Sequence, residues 1–176
     1  KMYCHSSDSG YGGEGYIRNG ATVNVGTEFF CIRTTSGGTR SNGGVVLEDG
    51  SLTVPVYNTS WSSTADKSGM LQLLGGALTT QRVNAGPGDN DYVLGNGGTF
   101  VTTLKGADIL PAALEHVYIG INGMTVESDV DVTASASFEP WSPEEGVSET
   151  GPLYKTGTGK LTLTGDASAH EKTVIT

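Results

Sequence analysis

Residues 49–54 read Asp49-Gly50-Ser51-Leu52-Thr53-Val54, and their pattern decides how the whole chain is read. A period of two puts Leu52 and Val54 on one face and Ser51 and Thr53 on the other, the signature of a half-buried strand. The glycine ahead of the run suits a tight corner, where a missing Cβ or a positive φ lets the backbone turn. The same figure recurs along the chain. It stands at Asn19-Gly20-Ala21-Thr22-Val23-Asn24-Val25, at Gly75-Gly76-Ala77-Leu78-Thr79-Thr80 and at Gly97-Gly98-Thr99-Phe100-Val101-Thr102. It returns at Asn122-Gly123-Met124-Thr125-Val126 and at Thr158-Gly159-Lys160-Leu161-Thr162-Leu163. With Gly20, Gly50, Gly76, Gly98, Gly123 and Gly159 as anchors, the intervals by subtraction are 30, 26, 22, 25 and 36 residues. A repeat of that length points to a solenoid.

One such strand cannot bury its apolar face alone. Stacked coils give each strand two hydrogen-bonding neighbours and align Leu, Val and Phe into a continuous core. The expectation is therefore an all-β chain: a parallel β-helix, or β-solenoid, of about six irregular coils. It would form a single domain over residues 1–176 and would equally suit a fragment of a longer chain. Further strands are expected within the coils at Glu28 to Arg33, Gly44 to Leu47, Met70 to Leu74, Asp91 to Leu94 and His116 to Ile119, with another beginning at Thr173 to Thr176. The phase is imperfect. Val23 and Val25 stand at odd offsets from Gly20, whereas Leu52 and Val54 stand at even offsets from Gly50. Because a one-residue slip flips the buried face, either the first and fifth coils turn differently or their anchors are misaligned.

Two stretches break the pattern. Lys105 to Glu115 is expected to form an irregular or helical turn, with Asp108 as its cap and Pro111 early in it. Residues 139–151, with two Pro and four Glu, are expected to leave the solenoid as an exposed loop insertion.

Composition agrees with ordered β structure. Gly makes up 27 of 176 residues, roughly twice the usual share, and charged residues only 16%. Low charge with recurrent β-branched and aromatic residues argues against disorder. The net charge of −9 repels phosphate backbones and anionic membranes, so neither nucleic acid nor membrane insertion is expected. No apolar run approaches bilayer length. The opening Lys1-Met2-Tyr3-Cys4-His5 holds no apolar signal core, so export would be directed from outside this sequence.

One segment carries a family resemblance. Leu153-Tyr154-Lys155-Thr156-Gly157-Thr158-Gly159-Lys160-Leu161-Thr162-Leu163-Thr164-Gly165 resembles the autotransporter-associated β-strand repeat, with Lys160 standing where Thr is more usual. Residues 166–172 depart from the family's continuation. Upstream, Gly75 to Asn84, Asn96 to Thr102, Ala107 to Pro111 and Gly120 to Val132 follow in a similar order. The resemblance implies a right-handed β-helix in an exported bacterial surface or extracellular protein. It implies neither catalysis nor a cofactor.

Glu127, Asp129 and Asp131 alternate and so share a face; that face would bind calcium or sugar, or simply be solvated. Asp89 and Asp91 sit in a turn, and His5, His116 and His170 are widely separated. No nucleophile elbow, zincin helix or phosphate loop is present. Asn58-Thr59-Ser60 matches a glycosylation sequon, idle in a bacterial protein. Trp61 and Trp141 would stack on sugar rings or cover the core. Cys4 and Cys31 with His5 give at most three ligands at poor spacing for zinc. An exported chain favours a disulfide between them, or else two separate thiols. Their 27-residue separation by subtraction is close to one coil. The resulting expectation is a non-catalytic structural or adhesive segment without metal or cofactor. Its partners would be neighbouring repeats or subunits at open solenoid ends, and host or matrix glycans. The alternatives are a carbohydrate-active β-helix enzyme and a β-sandwich pilin or adhesin subunit.

Overall fold

A computed structural model describes residues 2–6, 13–33, 41–61, 67–86, 91–144, 147–167 and 170–176, with side chains except at 2–6, 13, 30–33, 41–42, 60–61 and 67–68. The chain winds through three strands per coil. The first coil holds β1 (Met2–Ser6), β2 (Gly13–Ile17) and β3 (Thr22–Asn24). The second holds β4 (Glu28–Arg33), β5 (Ser41–Leu47) and β6 (Ser51–Thr53), and the third β7 (Val56–Trp61), β8 (Lys67–Leu73) and β9 (Ala77–Thr79). The fourth holds β10 (Arg82–Asn84), β11 (Tyr92–Gly95) and β12 (Thr99–Val101), and the fifth β13 (Asp108–Leu110), β14 (His116–Ile119) and β15 (Met124–Glu127). The sixth holds β16 (Val132–Ala134), β17 (Phe138–Pro140) and β18 (Leu153–Thr156), followed by β19 (Leu161–Leu163) and β20 (Thr173–Ile175).

Strands from successive coils pair in parallel. Sheet B runs β2-β5-β8-β11-β14-β17, and sheet C runs β3-β6-β9-β12-β15-β18-β20. The third side is divided into sheet A, β1-β4-β7-β10, and sheet D, β13-β16-β19. This is a β-solenoid whose six rungs enclose about five complete turns. Parallel pairing throughout these sheets excludes the β-sandwich alternative. All five internal strands expected from the sequence are present, as is the one at the C-terminal end.

The core is built from columns. In sheet C, Val23, Leu52, Leu78, Phe100 and Val126 occupy one register position in successive coils. In sheet B, Val45, Leu71, Val93, Val117 and Phe138 do the same. In sheet A, Phe29 stacks on Tyr57 with ring centroids 5.3 Å apart, and the Tyr57 hydroxyl donates to the Met70 carbonyl at 3.0 Å. Gly95 is the small member of its column, and the space its missing Cβ leaves is filled by Met124.

The register settles the phase of the repeat. Thr22 pairs with Ser51, so Ala21 and not Gly20 stands opposite Gly50. Thr99 pairs with Thr125, which aligns Gly123 with Gly97 and not with Gly98. The first and fifth anchors are thus displaced by one residue. Gly20 and Gly123 are turn residues with φ of 68° and 76°. Gly50, Gly76 and Gly98 serve close approach. The Gly76 carbonyl accepts from Thr99 N at 2.9 Å, and a Cβ at Gly98 would lie 2.8 Å from that same oxygen. Gly159 belongs elsewhere, because it precedes β19 in sheet D. Its long interval divides at Gly151, just ahead of β18 in sheet C, into 28 and 8 residues by subtraction.

Residues 105–115 differ from expectation. They contain strand β13 between two turns, and no helix occurs among the described residues. Asp108 caps no helix; its carboxylate accepts from Ser135 N at 3.2 Å and from the Ser135 hydroxyl in the next coil. The pull of the ladder outweighs local helix signals, because isolated turns gain little by themselves. Residues 139–151 are only partly an exposed loop. Glu139 and Pro140 belong to β17, and Trp141 closes the excursion by an antiparallel bridge to Glu149, with N–O distances of 2.8 and 2.7 Å.

Lys155 is the unexpected member of the core. It shares the register position of Val126 and is 4% exposed. Its stem continues the apolar column while Nζ donates to the carbonyls of Ser128 and Gly157, each at 3.0 Å, and of Thr156.

At Gly98, an alanine methyl would meet Leu73 Cβ at 2.6 Å and Gly76 O at 2.8 Å, whereas Gly26 has open space. Gly98→Ala should therefore cost about 1–3 kcal/mol and lower Tm by several degrees, roughly 2–4 °C per kcal/mol. Gly26→Ala should leave Tm within about a degree of the parent in the same calorimetric scan.

Candidate functional site

The acidic stripe is the first candidate. Glu127 ends β15, and Asp129 and Asp131 follow in the corner before β16, all three exposed. Their alternation holds, since Val126, Ser128 and Val132 between and beside them are buried. Two of the carboxylates serve the next coil. Asp129 Oδ1 accepts from Thr158 N at 3.0 Å, and Asp131 Oδ1 accepts from Lys160 N at 2.9 Å. No group of three or more His, Cys, Asp or Glu side chains poised to hold a metal occurs among the described residues. Asp89 lies outside those residues, as do the side chains of His5, Cys4, Cys31 and Trp61. The backbone register nevertheless pairs Tyr3 with Phe30 and His5 with Ile32, so Cys4 and Cys31 occupy the facing positions between them. The sequon is closed, because Asn58 is 8% exposed and its Nδ2 donates to the Phe29 carbonyl at 3.1 Å.

The outer face of sheet B is different. Residues that alternate with the core columns gather here into an aromatic platform. Tyr92 on β11 stands beside His116 on β14, and Leu94 beside Tyr118. Tyr118 is followed by Glu139 on β17. The bridge at Trp141 folds its indole back onto this face, 5.1 Å from the Tyr118 ring and 6.2 Å from Tyr92. Tyr118 and Tyr92 meet edge to face at 5.9 Å, and His116 stacks on Tyr118 at 5.4 Å. These are the offset and edge-on geometries that aromatic quadrupoles favour.

A polar rim surrounds the rings. His116 Nδ1 lies 3.1 Å from Glu139 Oε1, an ion pair when the imidazole is protonated. Gln72 Nε2 donates to the Tyr92 hydroxyl at 2.9 Å, and that hydroxyl reaches Met70 Sδ at 2.9 Å. Burial pushes the Tyr92 phenol up, the Gln72 bond pulling it partly back. Burial also raises Tyr118, and the Glu139 carboxylate adds to the shift. Both hydroxyls therefore remain protonated donors at neutral pH. The sequence singles out Trp141 and His116 separately, but only the register between coils assembles them with Tyr92 and Tyr118 into the platform.

Asp91, at the opposite end of β11 from Gly95, is 1% exposed. Its carboxylate accepts from Thr59 Oγ1 at 2.5 Å, Gly69 N at 2.6 Å and Gly86 N at 2.9 Å. It thereby joins β7, β8 and the segment after β10. Burial raises its proton affinity, these three bonds oppose the shift, and Glu115 raises it further. The arrangement is structural: three backbone segments are tied to one carboxylate.

No family model, curated protein or solved structure matches this chain.

Because the folded Asp91 carboxyl binds its proton more tightly than the unfolded one, the folded state holds more protons between the two pKa values. Its contribution favours folding below the unfolded value, near 3.9, and is lost as pH rises through the folded one. Asp91→Asn imitates the protonated form and should remove this component from a plot of urea midpoint against pH. Asp91→Ala leaves the buried Gly69 N–H without its acceptor, while Gly86 N keeps Thr59 Oγ1 at 3.1 Å, and should cost about 1–3 kcal/mol at every pH.

Proposed function

We propose that this chain is a non-catalytic structural and adhesive segment of an exported bacterial surface or extracellular protein. The solenoid serves as a spacer and display surface, and the aromatic platform on sheet B is the face that touches glycans. The platform is the observation that carries this reading: three aromatic side chains and an imidazole on one outer face, with hydroxyl, amide and carboxylate groups at their edge. Ring faces suit the C–H faces of sugars, and the polar edge suits their hydroxyls. A rigid solenoid holds such a face in fixed geometry, which lowers the entropy lost on binding.

Stacking of coil on coil by parallel strand pairing supports a role in assembly, with further repeats or a neighbouring subunit as the proposed partners. The resemblance of residues 153–165 to the autotransporter-associated repeat supports an extracellular setting.

Adhesion to a neutral-glycan array should fall at least about tenfold in Trp141→Ala and in Tyr118→Ala, with the far-ultraviolet spectrum unchanged. Equal retention by both variants would remove the platform from the binding face. Export also predicts that Cys4 and Cys31 are joined, since facing positions on adjacent strands lie roughly 4.8 Å apart, within disulfide reach. Maleimide should label neither thiol in unreduced protein and both after reduction.

A further inference from the structure

The third side of the solenoid is interrupted. Sheet A ends at β10 and sheet D begins at β13, so these two strands are neighbours without a shared ladder. Between them opens a cavity of about 450 Å³. Its walls come from β10 and from the segment leading into β13, where the chain turns at Gly106 with φ of 74°. Gly106 N donates to the Asp131 carbonyl at 2.7 Å, which fixes this turn to the coil above.

The lining brings together two cations that the sequence keeps 23 residues apart by subtraction, Arg82 and Lys105. Neither has an ion-pair partner among the described residues. Asp108 also lines the cavity, but its carboxylate is engaged by Ser135. The three charged groups sum to +1 in a chain of net charge −9. Leu104, 42% exposed, and Pro111 supply an apolar wall.

We propose that this notch binds a carboxylated sugar, with the carboxylate held between Arg82 and Lys105 and the ring resting on Leu104 and Pro111. The volume is that of a small-ligand site, and a guanidinium fork beside an ammonium matches a carboxylate in charge and geometry. A net +1 suits a monoanionic unit. The negative field of the whole chain opposes polyphosphates and nucleic acid, and the apolar wall has no use to a phosphate. The site goes beyond the reading above and does not depend on the platform, which lies on another side of the coil.

The test is an amide NMR titration with digalacturonate, with galactobiose as the neutral counterpart and acetate as the bare carboxylate. Digalacturonate should produce saturable shifts at residues 82–84 and 104–108, galactobiose none, and acetate the same shifts only at far higher concentration. Arg82→Gln with Lys105→Gln should weaken binding about tenfold or more, while Lys160→Gln leaves it unchanged. Both notch side chains are exposed, so an unchanged thermal melt verifies that the double variant is folded. Absence of saturable shifts at residues 82–84 and 104–108 below about 10 mM, equal shifts of those residues by galactobiose, acetate binding there as tightly as digalacturonate, or an unaffected double variant would each overturn the proposal.

Discussion

Successive coils of this solenoid are separated by one strand spacing, roughly 4.8 Å, and that distance constrains everything else. A residue in one coil lies directly on its register partner in the next, so each inward position becomes a column through the rod. Columns accept Leu on Val on Phe because those side chains fill similar cross-sections. At a corner the same spacing leaves no room for Cβ, and glycine stacks over a carbonyl that already accepts from the neighbouring coil, as at Gly98 above Gly76. Lys155 shows the constraint at its most severe. A charged residue enters an apolar column only because its stem fills the column and its ammonium finds three carbonyls at the corner.

A second device follows from the first. Where strands end, backbone groups lose their ladder partners, and side chains from an adjacent coil replace them. Asp129 and Asp131 bond to N–H groups of residues 158 and 160, Asp108 to Ser135, and Asp91 to Gly69 and Gly86. Acidic residues that resemble a functional stripe in one dimension are thereby occupied in three. The aromatic platform of sheet B and the notch where the third side changes sheets lie on the outer surface.

Much of the fold was legible because strand periodicity is local. Glu28 to Arg33 and His116 to Ile119 coincide with β4 and β14, and the others differ by a few residues at their ends. The anchors are less legible. A sequence alignment on glycine sets Gly20 and Gly123 beside Gly50, Gly76 and Gly98, because glycine is one letter with two uses, left-handed turning and close packing. Only the pairing of Thr22 with Ser51 and of Thr99 with Thr125 separates them. At residues 105–115, the local cues of Asp108 and Pro111 favoured a turn of helix, yet hydrogen bonds to β16 and the core position of Ile109 impose a strand.

The sequence by itself determined that this chain is an all-β solenoid, since alternation and glycine punctuation are properties of neighbouring residues. Tertiary structure alone decided which coil rests on which, and so which distant residues meet. Tyr92, Tyr118 and Trp141 became one surface, Arg82 and Lys105 one notch, and Lys155 a core residue. The reason is that register between coils depends on the variable lengths of the corners, from 22 to 29 residues between successive column positions from Val23 to Lys155 by subtraction. No local pattern encodes that sum.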